Sequence, residues 1–368
     1  MAMKRLLSIV ALVVVALLLS CGNREVVRDI ENVYTPRYAQ GFSIERDKAS
    51  GELLLCVKNP WQGAENVFYY TPLNTEKPIE RVVAMSSSHT AMLEAMGCAE
   101  RVVGISGCRF ISSPTIIKAI EEGKIAEVGY DSAFDFERIK SLRADVVLLY
   151  GIAGEAKALT NKFDELQIPY IYIGDYLETS PLGKAEWIIA LGYLCGCEEE
   201  SKKFFDGVEA RYNALRESVS STTRPKVMLN LPYRDTWFMP SNESYVVRLI
   251  EDANGEYILA ENKEKFSTTS LPISLEEALL LASRSDFWIN LGQVNTLEEL
   301  KSVAPRFIDV KAVRAGHIYN NTKRTNSGGG SDFWESGAVR PDVILNDLVQ
   351  ILHHEATTDE LYYYRQLQ

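Results

Sequence analysis

The sequence predicts an α/β protein with two lobes, each built on a parallel-rich sheet flanked by helices. One long helix joins the lobes, and a small N-terminal β-meander precedes them. Three observations support this prediction: a helical stretch at residues 198–220 divides the chain, the segments on its two sides repeat one strand–helix pattern, and short strands with turn residues between them come first. With 368 residues, 46% of them hydrophobic, the chain can form two cores.

Residues 198–220 have the periodicity of an amphipathic helix. Their apolar side chains recur at steps of three and four residues, which keeps one face of an α-helix buried. Acidic residues crowd the start, while Arg211 and Arg216 lie toward the end, which suits the helix dipole. Pro225 then prevents continuation. We expect this helix to be a single rigid connection between two similar lobes.

Both halves of the chain show alternating strands and helices. In the first half, an apolar strand at 81–85 is followed by a polar turn, a helix at 90–96 and a second strand at 101–105. This order is a βαβ unit, which predicts a parallel sheet. The strand at 145–151 recurs as the strand at 286–292, and each is followed by a helix. Residues 226–231 would open the second lobe as 81–85 opens the first.

The N-terminus has the features of an export signal. Lys4 and Arg5 precede an apolar run at 6–19 that is short for a membrane span, and Cys21 follows Ser20, as in a bacterial lipobox. A plain secretory peptide or a signal anchor is the alternative. We therefore expect an exported bacterial lipoprotein on the periplasmic side of a membrane, held there only by lipid on Cys21. The predicted boundaries are 1–21 signal peptide, 22–38 tether, 39–76 β-meander, 77–197 N-terminal lobe, 198–221 linker helix, 222–335 C-terminal lobe and 336–368 C-terminal helices packing back on the lobes.

Charge and metal-ligating residues narrow the classes of ligand. The net charge is −11, with no basic cluster beyond the extreme N-terminus, so nucleic acid is an unsuitable partner. The four histidines lie in three separate places, which is a thin set for a bare transition metal. Cys195 and Cys197 do not have the spacing of a common zinc or redox pair, and we expect them to be buried free thiols. Together with Cys56, Cys98 and Cys108 they make five cysteines after Cys21, an odd number for an exported protein.

Polar and aromatic residues at predicted strand ends are the candidates for a ligand site, because ligands of parallel sheets bind beyond the carboxyl ends of the strands. Ser88 and His89 illustrate the ambiguity, since the same turn can cap a helix or contact a ligand. His89 is also a candidate axial ligand for haem iron. The full set of candidate ligand-binding residues is Ser88, His89, Arg109, Tyr130, Tyr150, Tyr176, Trp237, Tyr245, Asn290, Arg324 and Trp334. The glycine-rich stretch 325–331 predicts a mobile loop beside them.

The order and spacing of four segments carry a family resemblance: 81–106, 136–151, 174–192 and 332–353. Together with the lipobox, they make residues 78–367 resemble the substrate-binding proteins of ABC importers for ferric siderophores, haem and cobalamin. The resemblance implies a monomeric receptor that is not an enzyme and has no resident cofactor. It would carry a small-molecule metal chelate between the lobes and dock on a permease dimer with its ATPase. It also implies one docking carboxylate on each lobe, at Glu155 and at Glu298, with Glu299 nearly as suitable.

Two other functions are compatible with an exported α/β protein. One is a hydrolytic enzyme using Ser88 and His89, although the segment is not Gly-x-Ser-x-Gly and adjacent residues in sequence do not make a Ser–His hydrogen bond. The other is a purely structural or adhesive lipoprotein, which would leave the predicted cleft unused.

Overall fold

The computed structural model describes residues 29–74, 76–130, 133–151, 155–219, 223–260, 270–354 and 357–368. The predicted signal peptide with Cys21 lies outside the described residues. In the described part of the chain, no helix is both long enough and apolar enough to cross a membrane.

The β-meander is present at the N-terminus and is joined to the first lobe by two buried carboxylates. Glu186 accepts hydrogen bonds from the Tyr34 hydroxyl at 2.6 Å and from the Ala39 backbone at 2.8 Å. Glu178 accepts one from the Gly41 backbone at 2.9 Å. The meander therefore shares the core of the first lobe. Its antiparallel strands, in sheet order, are β1 (Ile30–Tyr34), β2 (Phe42–Asp47), β3 (Leu53–Lys58) and β4 (Phe68–Pro72).

The first lobe is a five-stranded parallel sheet with helices around it, as predicted. Its three central strands are short, apolar and buried, as strands covered on both faces are. The strand order is β7-β6-β5-β8-β9, with β5 (Val82–Ala84), β6 (Val102–Ile105), β7 (Ala126–Glu127), β8 (Val146–Leu149) and β9 (Tyr170–Tyr172). The helices are α1 (Ser87–Ala95), α2 (Pro114–Glu121), α3 (Phe136–Ser141), α4 (Glu155–Leu166) and α5 (Pro181–Cys195).

The linker helix, α6 (Glu198–Ser218), passes from one core to the other. Phe205 is buried in the core of the first lobe, whereas Val208 and Tyr212 are buried in the core of the second. The Tyr212 hydroxyl also donates a hydrogen bond to Asp252 at 2.7 Å. Both lobes thus hold the same apolar face of this helix, in agreement with its predicted periodicity.

The second lobe repeats the parallel arrangement and adds antiparallel strands. Its main sheet has the order β13-β10-β15-β16-β17, with β10 (Lys226–Leu229), β13 (Glu256–Tyr257), β15 (Phe287–Ile289), β16 (Ile318–Asn320) and β17 (Arg365–Gln366). A separate antiparallel sheet consists of β11 (Pro232–Tyr233), β12 (Thr236–Pro240) and β14 (Ser270–Ser274). The helices are α7 (Tyr245–Asp252), α8 (Leu275–Arg284), α9 (Leu297–Val303) and α10 (Lys311–Ala315).

The C-terminal segment contacts both lobes and differs from the prediction at its end. Helix α11 (Ser336–Val339) contributes Val339 to the first core, and α12 (Pro341–His354) packs in the second. The last residues are not helical, because β17 pairs antiparallel with β16. Buried Asp347 fixes this segment by accepting hydrogen bonds from the backbone N–H groups of residues 362–364, the shortest at 2.7 Å.

Candidate binding cleft

The two lobes touch through loops that follow the carboxyl ends of β6 and β16. Asn326 donates its side-chain amide to the backbone oxygens of Arg109, at 3.1 Å, and Ile111, at 2.7 Å. A Cβ on Gly330 would overlap the Phe110 carbonyl oxygen, so only glycine permits this approach. The stretch predicted as a mobile loop is therefore a hydrogen-bonded turn that closes one end of the space between the lobes.

A buried carboxylate strengthens this contact. Glu335 of the second lobe accepts the backbone N–H groups of Ser112, at 2.6 Å, and Ser113, at 3.0 Å. The Ser113 hydroxyl donates to Glu94 at 2.8 Å. Burial raises the pKa of Glu335 to about 7, although the two N–H groups act in the opposite direction. We call the contact between residues 109–113 of the first lobe and residues 326–335 of the second lobe the interlobe clamp.

A small cavity lies beside the interlobe clamp. Its volume is about 260 Å³, and both lobes and the linker helix contribute to its wall. Among its charged groups, Arg324 pairs with Asp332 at 2.5 Å and lies 4.4 Å from the centre of the Tyr362 ring. Arg324 is thus bound within its own lobe. A cavity of this size is below the range typical of drug-sized ligands, so a bulky chelate does not belong here.

Arg109 and Tyr130 form an exposed group next to the interlobe clamp. The Arg109 guanidinium lies over the Phe110 ring at 4.5 Å and is 6.0 Å from the Tyr130 ring. Tyr130 is 49% exposed. The structure brings these two predicted residues together at the carboxyl edge of the first sheet, where they can offer a cation and an aromatic face to a ligand.

Tyr150 and Tyr176 form a second group at the other end of the same edge. Their rings are 6.3 Å apart in an edge-to-face arrangement. The Tyr176 hydroxyl donates to the Gly151 carbonyl, and burial raises the pKa of Tyr176 to about 12. Trp61 of the meander pairs with Gly151 and packs on Tyr172 at 5.5 Å. The meander, to which the sequence assigned no chemistry, therefore borders the cleft.

Ser88 and His89 are not placed as a catalytic pair. The Ser88 hydroxyl lies 2.9 Å from that of Ser86, which caps α1, and the His89 side chain is fully buried. His89 Nε2 is 3.7 Å from Asp175, which pairs with Lys184 at 3.0 Å. Burial alone would raise the pKa of Asp175, but Lys184 and His89 outweigh it and hold that pKa well below its usual range. The structure thus contradicts both the catalytic and the haem-ligand roles of His89.

Trp237 is a core residue and not a cleft residue. Its side chain is fully buried, it packs against Phe307 at 5.0 Å, and its indole N–H donates to the Leu229 carbonyl at 2.9 Å. The prediction failed because position near a strand end does not say which way a side chain points. Tyr245 begins α7 and is half-buried between other side chains of its lobe.

Asn290 lies directly beyond β15 in the left-handed conformation, with φ of 63°. Its side-chain oxygen is buried without a hydrogen-bond partner among the described residues. Trp334 is 50% exposed and packs edge-on against Phe333 at 4.7 Å. Trp334 therefore keeps surface that a ligand could contact, whereas the Asn290 oxygen is buried.

A hairpin beyond β10 supplies residues that the sequence analysis missed. Asn230 directly follows β10 with φ of 66°, and the strands β11 and β12 then form a hairpin that turns at Tyr233 and Arg234. Tyr233 is 64% exposed, and the Arg234 guanidinium lies 5.3 Å from its ring. The sequence does contain a signal for this hairpin. The stretch Pro-Tyr-Arg-Asp-Thr-Trp at 232–237 follows a strand end and indicates a hairpin at the carboxyl edge of the sheet, where ligands bind.

The predicted docking residues occupy equivalent places in the two lobes. Glu155 is the first residue of α4, which follows β8, but its side chain lies outside the described part of the chain. Glu298 is an exposed residue in the first turn of α9, which follows β15. Glu299 instead accepts the Asn295 backbone N–H at 2.6 Å, which favours Glu298 as the available carboxylate.

The arrangement of lobes, linker helix and cleft agrees with comparisons to known proteins. A family model described as periplasmic binding protein matches residues 82–325. The chain belongs to the periplasmic binding protein family. This is a family of binding proteins and not of enzymes, and members of this type bind small molecules and work with ABC permeases.

Similar sequences are found in Methanocaldococcus jannaschii. One uncharacterized lipoprotein is 30% identical over 289 residues, which cover 76% of this chain and 66% of that protein, so the chain spans just under two thirds of this relative. A second uncharacterized lipoprotein is 25% identical over 272 residues, covering 72% of this chain and 67% of that one.

Solved structures share the fold of this periplasmic binding protein at low sequence identity. A periplasmic binding protein from Veillonella parvula has a TM-score of 0.61 at 16% identity, covering 80% of this chain and 97% of that one. A periplasmic heme binding protein from Pseudomonas aeruginosa has a TM-score of 0.60 at 14% identity, with coverages of 79% and 98%. The periplasmic vitamin B12 binding protein of Vibrio cholerae gives 0.52 at 13%, with coverages of 75% and 97%.

Proposed function

We propose that this protein is the lipid-anchored receptor of an ABC importer for an iron chelate (a siderophore or haem) or for cobalamin. It captures the chelate between its lobes and delivers it to the permease. The observation that supports this most directly is the meeting of two parallel sheets through loops at their carboxyl ends, with one helix shared by both cores. Such edges are where ligands of α/β sheets bind.

The strand order indicates which end of the cleft receives the ligand. The interlobe clamp follows β6 and β16, which lie toward one side of their sheets. Tyr150 and Tyr176 follow β8 and β9 on the other side of β5, and Tyr233 and Arg234 follow β10 on the other side of β15. The end away from the clamp therefore combines aromatic faces with a guanidinium, which suits a flat or anionic metal chelate.

A ligand titration of the full chain tests this proposal. The panel is haem, cyanocobalamin, a ferric catecholate and a ferric hydroxamate, followed by tryptophan fluorescence with correction for ligand absorbance. We expect saturable quenching by one of them at sub-micromolar concentration. Tyr233→Ala should weaken that ligand roughly tenfold, about 1.4 kcal/mol, whereas Leu280→Ala, an exposed apolar residue on α8, should leave the affinity unchanged. No saturable response to any member of the panel would overturn the proposed ligand class.

The anchoring role of Cys21 is tested separately. The relatives in Methanocaldococcus jannaschii are named lipoproteins, which supports a lipid on this chain. We expect the wild-type chain to fractionate with membranes and to incorporate a labelled fatty acid. Cys21→Ser should abolish labelling. Continued labelling of the variant would contradict the assignment.

Charge reversal tests the docking surface. The double variant Glu155→Lys with Glu298→Lys should lose binding to the partner permease in proteoliposomes, because ion pairs of this kind set orientation and encounter rate. Ligand affinity should be unchanged, since neither residue belongs to the groups proposed to contact the ligand, which are Tyr150 with Tyr176 and Tyr233 with Arg234. Glu121→Lys, an exposed charge on α2, is the matched control. Normal docking by the double variant would exclude these two positions.

A further inference from the structure

Two cysteines that are distant in sequence meet at the base of the linker helix. Cys98 follows Gly97 directly after α1, and Cys197 is the residue immediately before α6. They are 99 positions apart in sequence, yet their sulfur atoms are 2.8 Å apart, and both residues are buried. Two sulfurs at this distance are closer than unbonded sulfur atoms normally lie.

We propose that Cys98 and Cys197 form a disulfide bond in the exported protein. A thiol hydrogen bond is a weak alternative, because S–H is a poor donor and S a poor acceptor. A metal site is also unsuitable, since structural zinc takes four ligands and, among the described residues, no group of three or more metal-ligating side chains surrounds this pair. Export to an oxidising compartment would let such a bond persist.

The remaining thiols point to this pairing and no other. Cys56 lies in the meander, and the backbone N–H of Cys108 donates a hydrogen bond to the Glu127 carboxylate at 2.7 Å. Cys195 is near Cys197 in sequence, but proximity in sequence is not enough. A disulfide needs two Cβ atoms about 4 Å apart that point toward each other. Among the described cysteines, only Cys98 and Cys197 have their sulfur atoms in contact.

The bond would form by thiol–disulfide exchange with an oxidised dithiol protein. The thiolate of one cysteine attacks a sulfur of the partner disulfide and releases the partner's other thiolate. The thiolate of the second cysteine then displaces the partner, so that two electrons and two protons leave this chain and the partner becomes a dithiol. Burial raises the pKa of Cys98 to about 12, so little thiolate exists after folding.

The consequence is a fixed base for the linker helix. The bond joins the end of α1 in the first lobe to the residue before α6, so the first turn of the linker helix moves with the first lobe. Any change in the angle between the lobes must then occur further along the helix, where Val208 and Tyr212 enter the second core.

Thiol counting in the full chain with Cys21→Ser tests the proposal. This variant keeps the five other cysteines. The protein is isolated after export, unfolded in N-ethylmaleimide without reductant, digested and analysed by mass spectrometry. We expect three alkylated cysteines, which is five minus the bonded pair, and one cross-linked peptide containing Cys98 and Cys197. Five alkylated cysteines, or a linkage that involves Cys195, would overturn the inference.

Thermal unfolding provides an independent test, because a change in packing alone would not make the melting temperature depend on the redox state. In the oxidised state, Cys98→Ser, Cys197→Ser and the double variant should all unfold about 5–15 °C below the parent, because a long closed loop is released. After refolding in reductant, the parent should fall to within a few degrees of the variants. Cys195→Ser keeps the bond and should retain the redox-dependent shift. If the variants unfold below the parent by the same number of degrees in both redox states, the effect is one of packing, and the disulfide is contradicted.

Discussion

The interlobe clamp should make stability depend on pH through Glu335. Its pKa is raised from 4.5 to about 7, mainly because the carboxyl is buried, with Asp332 and Glu94 adding to the effect. One pKa unit corresponds to about 1.4 kcal/mol, so the contribution is roughly 3 kcal/mol. Because the folded state binds this proton more tightly than the unfolded state, the contribution is fully present below pH 4.5 and is lost as the pH rises through about 7.

Urea unfolding of the full chain at pH 5 and pH 8 measures this effect. In Glu335→Gln the difference in unfolding free energy between the two pH values should be smaller by about 2–3 kcal/mol than in the wild type, because part of the contribution is already lost at pH 5. Burial also raises the pKa of Glu178 and of Asp347, but those groups act equally in both proteins. Glu121→Gln, an exposed position on α2, should behave as wild type. An identical pH difference in wild type and Glu335→Gln would refute the reasoning.

Two further variants separate the interlobe clamp from the C-terminal strand. Gly330→Ala adds a Cβ that overlaps the opposite lobe, so backbone amides at 109–113 should exchange hydrogen at least about tenfold faster. Ser327→Ala, at an exposed position of the same turn, is the control, and equal exchange in the two variants would contradict a clamp. Asp347→Ala leaves three backbone N–H donors without their acceptor and should cost about 3 kcal/mol with early release of β17. Asp359→Ala, at an exposed turn, should cost little, and an equal loss would contradict the anchoring role.

Periodicity in the sequence was sufficient to predict the helices and strands of regular pattern. The helix predicted after the strand at 145–151 is present as α4, and the linker helix begins at the predicted Glu198. These segments are long enough for a repeated three- and four-residue spacing to determine their type and their buried face. The short apolar strands were also located to within a few residues, because turn residues and helices bound them on both sides.

Features that depend on distant contacts could not be predicted from the sequence. Strand β17 has only two residues and exists because β16 offers an edge and Asp347 holds the preceding turn. Trp237 faces the core because β12 pairs with β14 across a separate small sheet. The glycines near residue 328 indicated flexibility, but their role is close approach to the opposite lobe. In each case the deciding neighbour lies far away in the chain.

The asymmetry of the cleft gives the β-meander a part in the site. The strand order of the first sheet is β7-β6-β5-β8-β9. The interlobe clamp follows β6 and the meander contact at Gly151 follows β8, so the two lie on opposite sides of β5. If the clamp closes one end, a ligand must pass Trp61 or the Tyr233 hairpin at the other. Trp61→Ala should therefore weaken the ligand found in the titration, while Phe68→Ala, an exposed meander residue away from Gly151, should not. Equal effects of the two changes would show that the meander only supports the fold.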